Sequence, residues 1–423
     1  MTVSLQRVTS QAIGVGRFTA EIYTARAQLL YHGLVRGDLL SRLQLRVGRA
    51  DPHAVYEQMR ARGPMLPTRL GNLSTTSYEV CQQVLRSRAF GVTDPSAPRP
   101  GEDMMDLSLL GLNPPDHTRL RRLAAPAFTP RRMAAYETLV DGTIDRLLDR
   151  VAGRGSFDLM SSFASPLPIA VITEMLGLSD DPDRLRWFGA TAASALDGVS
   201  SLWHAAQLFV ADRQMHAMFD ALLLRAAHNP GEDLTSVLVA QQGEQITSAE
   251  LSALVGLLLL AGFETTVNAI GNGVHALLGN RDQWEMLVRD PDRAAAVVEE
   301  VLRYNPPVQQ TARVLLSPSG PRHLGGATVA PGQWILLMLA GANRDPAVFT
   351  HPARFDIERS NAGEHLAFSG GIHYCLGAAL ARLELTAAFR ALAVRFPRLR
   401  LAGPVLMRPG TTLRGPRLLP VLT

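Results

Sequence analysis

Cys375 is the residue whose surroundings most clearly suggest chemistry. It lies in FSGGIHYCLG, Phe368 to Gly377, and the chain of 423 residues contains only one other cysteine. A strongly helical pattern follows it, and a thiolate at a helix N-terminus is stabilised by the helix dipole and by free backbone N–H groups. Gly370, Gly371 and Gly377 allow the backbone to approach another group closely. The stretch therefore predicts a thiolate that acts as a ligand.

Three interpretations of Cys375 compete. A buried structural cysteine would need neither the glycines nor His373 beside it. A nucleophile that used His373 as its base would have that partner only two residues away, which is a poor geometry for a catalytic pair. As the axial thiolate of a haem iron, Cys375 gives every neighbouring residue a role, and this interpretation is favoured.

The stretch also resembles a known signature. Five residues match the spacing Phe-x-x-Gly-x-His-x-Cys-x-Gly: Phe368, Gly371, His373, Cys375 and Gly377. This spacing is similar to the haem-binding signature of the cytochrome P450 family, with one departure at Ser369, where the family usually has glycine. The resemblance implies that Cys375 binds the iron of haem b.

The pair Glu300 and Arg303, in EVLR, matches a second family motif. One helical turn separates the two residues, so they lie on one helix face. Such a pair is ordinarily a solvated surface bridge, but the order and spacing of the other motifs favour a buried one here. The resemblance implies that Arg354, in ANRDPAVFTHPARFDIER, joins them in a buried ion network that supports the haem-binding segment.

His117 and Arg121, in HTRLRRL, lie four residues apart on one helix face. The resemblance implies that both bind haem propionates, carboxylates that accept charge-assisted hydrogen bonds. By the same resemblance, Arg313 and His373 are the third and fourth propionate ligands.

The segment AGFETT, Ala261 to Thr266, places an acid and a threonine inside a long apolar helix. One interpretation is an exposed stripe with a threonine bonded back to the preceding turn. The resemblance implies instead that Ala261 to Thr266 crosses the distal haem face. Thr265 would then hydrogen-bond the oxygen species, and Glu264, where many relatives have aspartate, would help relay protons.

The resemblance implies an apolar pocket beside this helix. We expect Leu257, Leu260 and Ala261 to line it, because they lie near the helical face of Thr265. The long loop Phe90 to Asp116, rich in Gly, Pro, Asp and Met, is expected to add a flexible roof. The residues expected to form this roof are Met104, Met105, Leu109 and Leu110. Val308, outside the loop, is expected to form a wall of the pocket.

The function implied is that of a monooxygenase that inserts one atom of dioxygen into an apolar small molecule. The chain shows no flavin- or iron–sulfur-binding module, so the electrons are expected from a separate ferredoxin and its reductase. A peroxygenase or radical-coupling enzyme would use the same haem site, and a haem sensor would keep Cys375. The pair Glu264–Thr265 argues against the peroxide-driven and sensor alternatives, because only dioxygen cleavage needs a proton relay.

Periodicity predicts a mainly α fold with small β-sheets, as the cytochrome P450 fold has. Apolar residues at three- and four-residue spacing indicate helices over 131–151, 206–228 and 248–278. Cys81 falls on an apolar helical stripe and is expected to be an inert core residue. After residue 312, RVLLS and ATVAPGQWILLML predict short strands, with a hairpin at the Pro-Gly turn.

Charge and hydropathy suggest the organisation of the chain. Residues 1–50 carry seven arginines and two acids, which gives them a net charge of +5. The whole chain has a formal net charge of +4. We expect this basic extension to pack on a single catalytic domain, 51–423, with docking to an anionic membrane surface as the alternative. The remaining residues therefore carry a net charge of −1, which argues against nucleic-acid binding, because that would need a basic face on the folded body.

The location expected from the sequence is the cytoplasm. The first residues show no signal peptide, and two cysteines cannot form a disulfide framework. The longest apolar run, Leu251 to Phe263, is shorter than the roughly twenty residues that a transmembrane helix needs, so no transmembrane span is predicted.

Overall fold

The computed structural model describes residues 19–20, 22–69, 71–94 and 108–423. Within these ranges the chain is dominated by helices and carries four small sheets. The predicted mainly α fold with small β-sheets is therefore confirmed. The expected roof residues Met104 and Met105 lie outside the described residues.

The α-helices, in chain order, are α1 (residues 22–30), α2 (Leu39–Gln44), α3 (Arg46–Ala50), α4 (Pro52–Ala61), α5 (Tyr78–Arg86), α6 (Asp116–Ala124), α7 (Pro130–Val151), α8 (Pro166–Leu176), α9 (Pro182–Ala195), α10 (Leu202–His228), α11 (Leu234–Val239), α12 (Ser248–Gly279), α13 (Arg281–Arg289), α14 (Ala294–Tyr304), α15 (Leu339–Ala342) and α16 (Ala378–Arg395). The three helices predicted by periodicity correspond to α7, α10 and α12, with boundaries that differ by four residues or fewer.

The central helix α12 organises the core. Its start is set by a capping box, in which Thr247 and Glu250 each accept a hydrogen bond from the other's backbone N–H. It packs against α8, α9, α10, α14 and α16. By length and composition α12 could cross a membrane, but 78% of its most apolar window is buried inside the protein. Its position is therefore that of a core helix.

The strands are β1 (Leu66–Pro67), β2 (Leu73–Thr75), β3 (Phe90–Gly91), β4 (Ser156–Asp158), β5 (Thr311–Leu315), β6 (Arg322–Leu324), β7 (Ala327–Val329), β8 (Trp334–Leu337), β9 (Arg400–Leu401), β10 (Leu406–Met407), β11 (Pro416–Leu418) and β12 (Pro420–Leu422). The largest sheet has the order β1-β2-β8-β5-β3, and only its β2–β8 pair is parallel. The smaller sheets are β4-β12-β9, β10-β11 and β6-β7.

The predicted hairpin around Pro331 and Gly332 is wrong. β7 pairs with β6, and β8 pairs with β5 and β2. The turn that closes a hairpin is instead Gly325–Gly326, where both residues have positive φ. The Pro-Gly turn leads from the small β6–β7 hairpin into the large sheet, where β8 has neighbours on both sides.

The segment Leu39–Ala50 packs on the body of the protein. Leu39, Leu40 and Leu43 of α2 are buried in a cluster with Tyr56 and Met59 of α4. Asp38 caps α2 by accepting a hydrogen bond from the N–H of Ser41. The boundary drawn at residue 50 therefore does not coincide with a boundary in packing.

Candidate active site

The loop that carries Cys375 connects a short 3₁₀ turn, Gly371–His373, to helix α16. The backbone N–H of Cys375 donates to the carbonyl of Phe368, 2.9 Å away. Cys375 is exposed as a residue. The protein groups packed around its thiol nevertheless raise the pKa of the thiol by burial. The N–H of Gly377 and the charges of Arg121 and Arg382 act in the opposite direction on that pKa. The loop and the two neighbouring helices therefore supply groups that favour a thiolate, while burial favours the neutral thiol.

Backbone conformation explains two positions of this loop. Ser369 has φ 62°, a left-handed conformation that glycine adopts most readily. Gly371 has φ 63°, and a Cβ there would lie 2.2 Å from the carbonyl oxygen of Leu85 in α5. At Gly371, the group that the backbone approaches closely is thus a neighbouring helix.

Four basic side chains from distant parts of the chain meet beside this loop. The rings of His117 and His373 lie 4.2 Å apart between centroids. Burial, with help from Arg313, His117 and Arg121, lowers the pKa of His373 to about 3. Burial, followed by Arg121 and Arg313, lowers the pKa of His117 to about 4. We call His117, Arg121, Arg313 and His373 the basic cluster.

The basic cluster leaves polar atoms without partners. Both ring nitrogens of His117 and Nε2 of His373 are buried and make no hydrogen bond. Arg313 is 5% exposed, and its hydrogen-bond partners among the described residues are neutral oxygens of Thr311, Ala312 and Ser369. Burial lowers the pKa of Arg313 to about 10. Within the described part of the chain, no acid forms an ion pair with any of the four residues.

These observations test whether the site fits a haem. Buried cationic groups and unpartnered ring nitrogens are costly unless an anionic group joins them. A macrocycle with two carboxylate arms, held next to a thiolate, would provide that group. The basic cluster and the Cys375 loop therefore fit a haem and its propionates.

Helix α12 presents an accessible stripe to its surroundings. Leu257, Leu260 and Thr265 are partly exposed and Ala261 is exposed, while Leu258 and Leu259 are buried. The hydroxyl of Thr265 donates to the carbonyl of Ala261, at 2.9 Å. The back-bonded threonine of the alternative interpretation is therefore present, and it lies on the same helix face as the residues expected to line the pocket.

Glu264 faces away from this stripe. It is 2% exposed, and its Oε2 lies 2.9 Å from Nη1 of Arg408, a residue that follows β10. The distance makes this an ion pair, but its geometry is not that of a hydrogen bond, since Glu264 Oε2 has no hydrogen-bond partner. Arg408 Nε is likewise buried without a partner. Burial raises the pKa of Glu264, and Arg408 opposes that rise. Sequence reasoning missed Arg408, because MRPGTTLRG has neither periodicity nor a motif.

Glu300 and Arg303 form the predicted buried pair. Both side chains are fully buried, and two parallel hydrogen bonds of 2.7 Å join them. Arg303 also donates to the carbonyls of Asn343, Pro352 and Arg354. The pair therefore anchors α14 to the irregular segment that precedes the Cys375 loop.

The third arginine of this network is not the predicted one. Arg359 Nε lies 3.2 Å from Glu300 Oε2, and Arg359 is nearly buried. The side chain of Arg354 is 65% exposed and points to Asp356. The prediction of Arg354 was wrong because the segment is a series of turns, in which spacing along the chain does not determine which side chain faces inward.

The remaining candidates occupy varied positions. Cys81 is fully buried in the cluster beneath the largest sheet, as expected for a core residue, and burial raises its pKa. Leu109 is buried and Leu110 is 51% exposed. Val308 is half-buried and forms an isolated bridge with Leu413.

Comparison with known proteins identifies the class to which this fold and site belong. Residues 212–397 match the description of the family named Cytochrome P450. The chain is 40% identical over 412 residues to the putative cytochrome P450 140 of Mycobacterium tuberculosis, covering 92% of this chain and 93% of that protein. It is 38% identical over 389 residues to the cytochrome P450 monooxygenase PikC of Streptomyces venezuelae, covering 88% and 91%. The ligand-free crystal structure of Mycobacterium smegmatis CYP164A2 matches with a TM-score of 0.84 and 38% identity, covering 91% and 99%.

The chain therefore belongs to the cytochrome P450 family. It is a cytochrome P450 monooxygenase, an oxidoreductase of the class in which a cysteine thiolate binds the haem iron. The resemblance stated on the sequence motifs is thereby confirmed.

Proposed function

We propose that this protein inserts one oxygen atom of dioxygen into an apolar small molecule, with Cys375 as the thiolate ligand of haem b. The observation that carries the assignment is the basic cluster beside the Cys375 loop. It gathers four basic side chains at a buried place where no described acid balances them. When bound there, haem supplies the activation of dioxygen.

Each residue of the basic cluster has a role in holding the propionates. Arg121 and Arg313 supply charge-assisted hydrogen bonds to carboxylates. The unpartnered ring nitrogens of His117 and His373 supply further hydrogen bonds. Phe368 accepts the backbone hydrogen bond of Cys375 through its carbonyl, and its ring lies under Arg382, 4.6 Å from centroid to guanidinium carbon. These contacts hold the loop in the shape that presents the thiolate.

Thr265 and Glu264 handle protons on the opposite side of the site. The hydroxyl of Thr265 lies on the accessible stripe and could exchange its hydrogen bond to the Ala261 carbonyl for one to dioxygen held in the site. Glu264 lies next to it in the chain and is ionisable but buried, which suits a group that holds a proton briefly. Glu300, Arg303 and Arg359 have a structural role only.

The substrate and the electron donor follow from the two faces of the site. The accessible stripe of α12, with Leu257, Leu260 and Ala261, favours an apolar substrate. Within the Cys375 loop, the side chains of Ile372 and Tyr374 are exposed. A separate ferredoxin, reduced by its reductase, would dock there, where electron transfer to the thiolate side is shortest.

The organisation proposed is one catalytic domain, residues 51–423, on which residues 39–50 pack. Its place of action is the cytoplasm, and residues 1–37 remain the candidate segment for contact with a membrane surface.

The experiment compares the purified protein with Cys375→His. The reduced, carbon-monoxide-bound protein is expected to show the red-shifted Soret band of a thiolate-bound haem, and the variant is expected to lose both the band and product formation. Products are sought by mass spectrometry after a spectral screen of apolar ligands with NADPH and a ferredoxin pair. A normal thiolate spectrum in Cys375→His would overturn the assignment, and a normal spectrum without any dioxygen-dependent product would leave a sensor.

A further inference from the structure

Two separate pieces of the chain cover the buried carboxylate of Glu264. The first is helix α9, whose Gly189 packs so closely that a Cβ there would lie 2.8 Å from Glu264 Cγ. The second is the β10–β11 hairpin, which contributes Arg408 at 2.9 Å. Among the described residues, Arg408 is the charged group that acts on Glu264. Helix α9 and the hairpin therefore both contribute to the burial of the carboxylate, whose residue is 2% exposed.

The hairpin is seated directly on α12. The N–H of Arg408 donates to the carbonyl of Gly415, which fixes the base of the loop. A Cβ at Gly415 would lie 2.2 Å from Oδ1 of Asn268, one turn beyond Glu264 on the same helix. Asn268 in turn donates from its amide nitrogen to the carbonyl of Glu264, at 2.8 Å. The position of Arg408 therefore depends on how the hairpin sits on α12.

A single carboxylate joins the two covers. Asp197, two residues beyond the end of α9, accepts hydrogen bonds from the N–H groups of Thr411 and Thr412, at 2.9 and 2.8 Å. It also accepts one from the hydroxyl of Thr411. We call these three hydrogen bonds the latch. The latch therefore links α9 to the hairpin through charge-assisted hydrogen bonds.

We propose that Arg408 is a positioning residue for Glu264 and that the latch holds both covers closed over it. With the latch closed, Arg408 holds the carboxylate beneath the covers and turned away from Thr265. With the latch open, α9 and the hairpin separate and water reaches Glu264, so that the carboxyl group can exchange protons with solvent. The role in catalysis rests on the proposed function, but the closure itself does not.

The latch is tested by hydrogen–deuterium exchange on the haem-loaded protein. Asp197→Asn keeps the size of the side chain and removes its charge. We expect the amides of residues 182–195 and 406–415 to exchange together, about tenfold faster than in the unchanged protein, while α7 keeps its protection. Asp183→Asn is the matched control, because Asp183 lies on α9 and its ion-pair partner among the described residues is Arg186, on the same helix. Faster exchange in one segment alone, or equal acceleration by the control, would overturn the latch.

The positioning role of Arg408 is tested by infrared titration of Glu264. Its protonated carboxyl is identified as the band that is missing in Glu264→Gln. In Arg408→Gln the midpoint pH of that band is expected to rise by about one to three pH units, and Arg408→Lys should restore most of the original midpoint. An unchanged midpoint in Arg408→Gln, or no rescue by lysine, would overturn the assignment.

Neither measurement requires turnover or a known substrate. Their failure would remove the latch and leave the proposed monooxygenase function in place. Conversely, loss of the proposed function would leave both expected results intact. If Arg408→Gln does not fold, the midpoint pH of the Glu264 carboxyl band is measured in Asp197→Asn instead. The proposed latch predicts that this midpoint changes, and an unchanged midpoint would contradict the latch.

Discussion

The centroids of the imidazole rings of His117 and His373 lie 4.2 Å apart, and three of the four ring nitrogens are buried without a hydrogen bond. Two neutral rings at this distance do not satisfy each other's hydrogen-bonding nitrogens. Arg121 and Arg313 add two positive charges to the same place. The arrangement is explained by an anionic group that all four residues would share.

The first prediction concerns haem retention. His117→Leu should release haem to a scavenging globin about tenfold faster, because it removes one charge-assisted hydrogen bond to a propionate. Arg122→Ala is the matched control, since Arg122 lies on the same helix and is exposed. The rate is measured from the change in the Soret absorbance. Equal acceleration by both variants would contradict a specific role for His117.

The second prediction concerns Thr265 and Glu264. Thr265→Ala should still bind haem and substrate and consume NADPH, but release hydrogen peroxide instead of product. Glu264→Gln should slow the whole cycle by about 10²-fold, the lower range for a general acid–base group. The measurement is the ratio of product formed to NADPH oxidised, with peroxide quantified in parallel. Full coupling in Thr265→Ala would remove its hydroxyl from proton delivery.

The third prediction separates the arginines of the buried network. Arg303→Met leaves Glu300 as a buried charge with one remaining arginine, and should destabilise the protein by about 3–5 kcal/mol. Arg354→Ala should change stability by less than about 0.5 kcal/mol, because that side chain is exposed. Arg359→Ala should fall between the two. Urea unfolding measures all three, and a large loss in Arg354→Ala would restore the original prediction.

The fourth prediction concerns Glu384, a buried acid in α16 whose Oε2 has no hydrogen-bond partner. Burial raises its pKa to about 8 from an ordinary 4.5. The folded state therefore holds a proton that the unfolded state releases between these values, and this group lowers stability as pH rises from 4.5 to 8. The slope approaches about 1.4 kcal/mol per pH unit.

Glu384→Gln should remove this slope. The measurement is the difference in unfolding free energy between the unchanged protein and the variant at several pH values, which cancels the other titrating groups. The glutamine variant should gain in relative stability as the pH is raised toward 8. A constant difference across that range would show that Glu384 is not held protonated.

The fifth prediction concerns the start of the chain. A protein that begins at Asp51 loses Leu39, Leu40 and Leu43 from the core and should be destabilised, because each buried leucine contributes about 1.5–3 kcal/mol. A protein that begins at Asp38 keeps them and should lose less stability, because the described residues before Asp38 bury only Ile22 and Gly33. Thermal unfolding compares the two. Salt-sensitive flotation of the full-length protein with anionic liposomes, absent when the chain begins at Asp38, would assign residues 1–37 to a membrane surface.

The sequence by itself determined the features that depend on neighbours along the chain. The helices corresponding to α7, α10 and α12 were predicted because apolar spacing follows the helical repeat. Glu300 and Arg303 were predicted to pair because one helical turn separates them. The family was recognised because the signature around Cys375 is a short, continuous run of residues.

Only the tertiary structure decided which distant residues meet. Arg408 pairs with Glu264, and Arg359 rather than Arg354 completes the network of Glu300. Asp197 reaches Thr411, and β8 pairs with β5 rather than with β7. Such contacts join segments far apart in the chain, in turns and short strands where no repeat specifies the inward-facing side. They are determined by how the whole core packs, and that packing has no signature in any single stretch of sequence.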